Sequence, residues 1–280
     1  MPELPEVETV VRGLRGPLVG RRIVGVRFGK TDFIDDPIAL GEQLPGSRIA
    51  SVERFGKFIT LALQPLDTAS RDFHLFIHLG MTGQLTSRKP YEPVVAHTHA
   101  FVELDDGLEL RYTDIRRFGR MLLVPESGMG KFHQSVGRDP LELSEQEFLS
   151  RVGGRRARIK ALLLDQKVLS GMGNIYTDES LWRARIHPAR LAANLQPRQL
   201  KLLYHTMRQV LSAAIRHRGS TISDYRDAAG SPGEYQARHR VYGRKGKPCP
   251  RCHTPIRRII VAGRGTHFCP RCQPSPRKIF

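Results

Sequence analysis

The sequence predicts a two-domain α+β protein: an N-terminal β-sandwich with a leading helix, followed by a helical domain that ends in a β-hairpin zinc finger. Three observations lead there. Apolar residues recur with period two in short runs between Arg22 and Val124, and the period becomes helical after about residue 144. All four cysteines then stand near the end of the chain, as Cys249-x-x-Cys252 and Cys269-x-x-Cys272. A length of 280 residues is enough for two ordinary cores. The expected division is a sandwich over 1–135, a linker over 136–149, a helical domain over 150–242 that includes an irregular segment at 219–242, and the finger over 243–280.

The leading helix is expected from Pro5 to about Arg15, where Pro5 suits a first helical turn and Val7, Val10, Val11 and Leu14 share one face. Strands are expected at Arg22–Phe28, Arg48–Phe55, Lys57–Gln64, Phe73–Leu79, His99–Leu104 and Leu108–Thr113. These runs are rich in β-branched and aromatic residues, and Asp105-Asp106-Gly107 is a hairpin-turn signal between the last two. Ser144 with Glu147 forms a capping-box pattern ahead of Phe148, Leu149 and Val152. Further helices are expected at Arg158–Asp165, at about Asn174–Ala184, and from Pro197 to a stop at Gly219. The Gly-, Ser- and Asp-rich stretch from 219 to 247 reads as a long mobile loop.

Charge narrows the partners. Lys and Arg number 45 against 27 Asp and Glu, a net +18 that attracts polyanions. No run of eighteen apolar residues and no lipidation motif points to a membrane. The chain shows no apolar signal segment near Met1, so a cytoplasmic, reducing compartment is expected. Two Cys-x-x-Cys pairs sixteen residues apart suit four thiolates around one structural Zn2+, with every coordination position filled by protein. Two disulfides are the alternative use of the same residues. Residues 244–280 also carry ten Lys or Arg and no Asp or Glu, as a nucleic-acid-binding module does.

The chain opens Met1-Pro2-Glu3-Leu4-Pro5-Glu6. Methionine removal ahead of proline would leave Pro2 as a secondary amine. An α-amine has a pKa of roughly 8 against about 10.4 for lysine, so its reactive unprotonated fraction at neutral pH is a few-hundred-fold larger. Such an amine suits attack on carbon and Schiff-base formation, with Glu3 as proton donor and Glu6 orienting the amine. The bland reading is acids offsetting a helix dipole.

Seven ordered segments together resemble one family. They are Pro2-Glu-Leu-Pro-Glu-Val-Glu8, Arg54-Phe-Gly-Lys-Phe58, His78-Leu-Gly-Met-Thr-Gly83, Tyr112-Thr-Asp-Ile-Arg-Arg-Phe-Gly119, Gly171-Met-Gly-Asn-Ile-Tyr176, Val241-Tyr-Gly-Arg-Lys-Gly246 and the four-cysteine finger. The pattern resembles the bacterial formamidopyrimidine-DNA glycosylases over nearly the whole chain. The resemblance implies a bifunctional base-excision-repair glycosylase and abasic-site lyase that removes oxidised purines from damaged double-stranded DNA, acting as a monomer. It implies Pro2 as nucleophile on the sugar C1′, Glu3 as the acid assisting base loss, and Lys57 as phosphate contact and proton donor in the first elimination. Arg264 would hold the flanking phosphates and assist the second.

For DNA binding, the resemblance implies that Met81, Arg116 and Phe118 fill the gap left by an everted base, a fitting task for two apolar wedges and a hydrogen-bonding cation. His78 belongs to the same motif as Met81. Asn174 would hold phosphate at the start of a helix–two-turns–helix element. His97, Arg155 and Lys160 align with further family DNA contacts, and 219–242 with the lesion-recognition loop. Two departures stand out: Ile115 replaces the usual proline before Arg116, and Arg218-Gly-Ser-Thr221 replaces a more glycine-rich run. An endonuclease VIII-type enzyme for oxidised pyrimidines fits part of the pattern, but Leu4, the Met81/Arg116/Phe118 set and the long loop favour the purine enzyme. A non-catalytic zinc-finger DNA-binding protein would share the charge and the finger without needing a free Pro2.

Overall fold

The computed structural model describes residues 1–66 and 71–275. Contacts divide the chain into two compact units, Met1–Gln134 with His217–Glu234, and Ser135–Arg216 with Tyr235–Phe280. The sequence grouped 217–234 with the helices. Tyr225 and Ala228 explain the difference: both are buried in the core of the first unit. Hydrogen bonds from Gln84 Nε2 to Asp224 O and from Tyr225 Oη to Glu6 O also bind the stretch there.

In the first unit, α1 (Leu4–Leu18) buries Val7, Val10, Val11, Leu14 and Leu18, and runs one turn beyond the expected stop. It is followed by β1 (Ile23–Phe28), α2 (Pro37–Gln43), β2 (Arg48–Phe55), β3 (Phe58–Gln64), β4 (Phe73–His78), β5 (Gln84–Arg88), β6 (Thr98–Leu104), β7 (Glu109–Thr113), β8 (Arg120–Pro125) and α3 (Met129–Ser135). The strands form two antiparallel four-stranded sheets, ordered β1-β6-β7-β5 and β2-β3-β4-β8. One core takes apolar side chains from both sheets and from α1. The six expected strands are present within a residue or two. The two unexpected ones, β5 and β8, stand at the ends of their sheets, and beyond β8 only a short bridge from Met121 to Ile34 continues the pairing.

In the second unit, α4 (Glu145–Val152) starts at the expected capping box: Ser144 Oγ accepts from Glu147 N at 3.2 Å while Glu147 Oε2 accepts from Ser144 N at 2.8 Å. Then come α5 (Ile159–Leu164), α6 (Asn174–Arg183), α7 (Pro197–Arg216) and the hairpin β9 (Arg257–Val261) and β10 (Arg264–Phe268). Gln166 organises the turns between α5 and α6: its Nε2 donates to Leu164 O and Met172 O, and its Oε1 accepts from Gly171 N. Helix α6 is central, buried from Ile175 to Trp182. No helix among the described residues is long and apolar enough to cross a membrane.

Candidate functional site

Pro2 is buried immediately before Glu3, the N-cap of α1. Glu3 and Glu6 are also buried. Glu6 Oε2 accepts from Glu3 N at 2.8 Å and Oε1 from Ser220 N at 2.6 Å. The sequence reading had Glu6 orient the amine. In the structure its carboxylate fastens the helix start to the 217–234 stretch. Met1 precedes Pro2, so the Pro2 nitrogen becomes an amine only once Met1 is cleaved.

Lys57 lies in the two-residue turn between β2 and β3, where Phe55 pairs with Phe58. Only Gly56 of this turn has a positive φ (59°), which glycine supplies without strain. A lysine at a hairpin tip normally reaches into water, yet Lys57 is 8% exposed. Phe58 pairs with His78 at the end of β4, which brings lysine and histidine together. Burial, and then the nearby Lys57 charge, push the His78 pKa down to about 4. The imidazole is therefore neutral near pH 7, and its Nδ1 accepts from Gly80 N at 3.0 Å, leaving the proton on Nε2.

The three gap-filling candidates stand together on adjoining loops. Arg116 Nη1 lies 3.3 Å from Met81 Sδ, and the Arg116 guanidinium lies 4.4 Å from the Phe118 ring centre. Met81 is 42% exposed and Phe118 57%, so both apolar side chains face solvent instead of a core. Two glycines allow the approach of the loops: a β-carbon on Gly80 would run into the Phe118–Gly119 backbone, and one on Gly119 into the Tyr112 hydroxyl. Beneath them lies Asp114, fully buried. Its Oδ1 accepts from the Thr82 hydroxyl and from Arg116 N, and its Oδ2 from Tyr112 Oη and Gly119 N. Asp114 N in turn donates to His97 O at 3.0 Å, so exposed His97 adjoins the same loop. The role of Asp114 leaves little trace in the sequence, where it is only an aspartate followed by a turn.

In the second unit, Lys160 departs from its expected role in DNA contact. It is fully buried, and its Nζ donates to Asn174 Oδ1 and Asp178 Oδ1, both at 2.6 Å. An ammonium with no surface is unavailable to a phosphate; it holds α5 to α6 instead. Asn174, the first residue of α6, also donates through Nδ2 to Gly265 O at 2.9 Å, which places it beside Arg264 on the hairpin. Arg264 is exposed, just after the Ala262-Gly263 turn. Arg155 is exposed ahead of α5, where its carbonyl accepts from Ala193 N at 3.0 Å. Glu179, another residue that the sequence reading passed over, is wholly buried and accepts from the amides of Arg240, Val241 and Tyr242. Burial pushes its pKa up while those amides oppose the shift.

The sulfur atoms of Cys249, Cys252, Cys269 and Cys272 all lie within 4.8 Å of one another. Separations of 3.4, 3.5 and 3.9 Å among them suit a tetrahedral zinc site, in which Zn–S bonds of about 2.3 Å give S···S edges of about 3.8 Å. All are far from the bonded distance of about 2.05 Å, and the cysteines are free of disulfides. The donor set fits one structural Zn2+, packed on Trp182, Val241 and Ile256.

Comparison with known proteins matches three families in succession along the chain: the formamidopyrimidine-DNA glycosylase N-terminal domain at residues 1–121, its H2TH domain at 136–226, and the zinc finger found in FPG and IleRS at 246–274. A formamidopyrimidine-DNA glycosylase of Herpetosiphon aurantiacus is 45% identical over 278 residues, covering 98% of this chain and 100% of the relative. A Lactococcus lactis FPG variant solved with DNA containing Fapy-dG superposes with a TM-score of 0.89 at 34% identity, covering 98% of this chain and 100% of that one. MutM solved with DNA containing carbocyclic 8-oxo-G gives 0.88 at 34% identity, with the same coverage.

Proposed function

Since the chain belongs to the formamidopyrimidine-DNA glycosylase family, we propose which of its residues perform each step of that family's reaction. The protein is a base-excision-repair DNA glycosylase and abasic-site lyase for oxidised purines, and its partner is damaged double-stranded DNA. One structural Zn2+ belongs to its finger.

After Met1 is cleaved, the Pro2 nitrogen attacks C1′ of the everted nucleotide. Glu3 supplies the proton that lets the sugar ring open as the damaged base leaves, and the result is an imine on Pro2. Lys57 contacts the phosphate and serves as the proton donor of β-elimination. Arg264 grips the flanking phosphates and assists δ-elimination, with Asn174 holding phosphate beside it. Met81, Arg116 and Phe118 occupy the emptied stack. His78, His97 and Arg155 contact the backbone, His78 as a neutral donor through Nε2. The enzyme works as a monomer in the bacterial cytoplasm.

The burial of Glu3 and Lys57 in the unit that also buries Pro2 carries this reading, since an acid and an ammonium excluded from water are placed for chemistry and not for solubility. Borohydride trapping on an 8-oxoguanine:C duplex, followed by mass spectrometry of the cross-linked peptide, is expected to place the adduct on Pro2. An adduct on a lysine overturns the assigned nucleophile.

A further inference from the structure

Helix α1 and the Lys57 turn are joined by side chains that the reaction scheme leaves unused. Arg54, on β2, is 7% exposed and presents two arms of its guanidinium in different directions. Its Nε donates to Glu8 Oε2 at 2.9 Å, and its Nη1 donates to Gly56 O at 3.3 Å. Glu8 lies on α1, within two helical turns of Pro2, and its other oxygen accepts from Arg12 Nε at 2.8 Å. Burial raises the Glu8 pKa, but the hydrogen bonds and charges of Arg12 and Arg54 outweigh it and hold the carboxyl below its ordinary value. A continuous polar chain thus runs from α1 through Glu8 and Arg54 to the carbonyl immediately before Lys57.

We infer that Arg54, anchored by Glu8, is a positioning residue that sets the Lys57 turn against the helix carrying the nucleophile. A two-residue turn pivots easily about its glycine, and Gly56 carries the positive φ here. One hydrogen bond to the Gly56 carbonyl, made from an arm whose other end is fixed to α1, removes that freedom. Only arginine does this, because its planar fork serves a carboxylate and a carbonyl together, whereas a lysine ammonium at the same place reaches one of them. The consequence is selective: imine formation draws on Pro2 and Glu3, whereas elimination also needs Lys57, so loss of the fork slows the second and spares the first.

This inference rests on the role proposed above for Lys57, and the test separates the two. Single-turnover rates are measured on a duplex with a preformed abasic site, with borohydride trapping for the imine and strand scission for elimination. Arg54→Lys is expected to trap within about twofold of the parent and to cut about tenfold more slowly, in line with the steep cost of misplacing a reacting group by a fraction of an ångström. The Arg54→Lys/Lys57→Ala double variant is expected to cut no more slowly than Lys57→Ala, because the fork acts through the lysine. Glu8→Gln, which keeps the shape and loses the charge, is expected to move the same ratio in the same direction by a smaller factor. Multiplicative losses in the double variant, or an equal fall in trapping and scission, overturn the inference and leave Arg54 a packing residue. A Lys57→Ala variant that cuts at the parent rate removes the Lys57 role itself.

Discussion

Asp114→Asn is the substitution that most directly tests how the gap-filling residues are held. The change is nearly isosteric, so packing is kept and only acceptor capacity is altered. The carboxylate is fully buried and accepts four hydrogen bonds, two on each oxygen. An amide replaces one oxygen with a donor, whichever way it turns. That donor then faces either the Thr82 hydroxyl and the Arg116 amide, or the Tyr112 hydroxyl and the Gly119 amide. The hydroxyl on that side can turn and accept from the new donor, but the backbone amide cannot, so one hydrogen bond to a charged acceptor is lost at about 1.5–3 kcal/mol, and the others fall to neutral strength at a further cost of about 0.5–1.5 kcal/mol. A conservative total is about 3 kcal/mol. The first unit contains about 150 residues, for which each kcal/mol moves the midpoint by about 2–4 °C, so its melting temperature should fall by about 6–12 °C. Thermal melts followed by near-UV circular dichroism give the shift, and nicking of an 8-oxoguanine:C duplex below the melt reports the loosened loop. An Asp114→Asn protein that melts within about 2 °C of the parent and nicks at the parent rate refutes the reasoning.

Acid should weaken the first unit through His78. Its folded imidazole takes a proton only near pH 4, whereas the unfolded one takes it near about 6.5, so the unfolded chain binds more protons between those values and stability declines as pH falls through that window, by up to about 1.4 kcal/mol per unit. His78→Gln should flatten the denaturant-midpoint profile there, and parallel profiles would contradict the depressed pKa. Chelating zinc should unfold the finger and abolish lesion nicking while the β-sandwich keeps its own melting transition; nicking that survives verified metal loss would show that the finger is dispensable.

Features that depend on neighbours in sequence were readable in advance, and features that depend on distant partners were not. The Ser144–Glu147 box and the Asp105-Asp106-Gly107 turn are local hydrogen-bonding chemistry, and the period-two alternation of β3 and β4 declares strands with one face on the core. The cysteine spacing dictates its own cluster. Lys160 shows where such reading stops. The family pattern aligns it with a DNA contact, and only the fold reveals Asp178 and Asn174 at 2.6 Å. Glu179 and Asp114 are of the same kind: buried carboxylates whose partners are backbone amides, which every residue type except proline supplies and which therefore leave no compositional trace.

Ile115 stands where the family pattern expects proline, immediately before Arg116. Where family members carry proline, the ring restrains the chain just before the arginine that is proposed to face the orphaned base. Isoleucine brings no such restraint, and Ile115 is exposed, so packing does not replace it. The loop is held from below instead. Asp114 binds the amides on both sides of the excursion, Arg116 N at 3.2 Å and Gly119 N at 2.9 Å, and Thr82 Oγ1 accepts from Arg116 N at 3.1 Å. Arg117, between them, takes a left-handed conformation (φ 52°) and reaches Asp32 at 3.5 Å. Both ends of the excursion are thus fixed by hydrogen bonds that do not involve the Ile115 side chain. In this chain the backbone that presents Arg116 is held by the Asp114 carboxylate and the Thr82 hydroxyl.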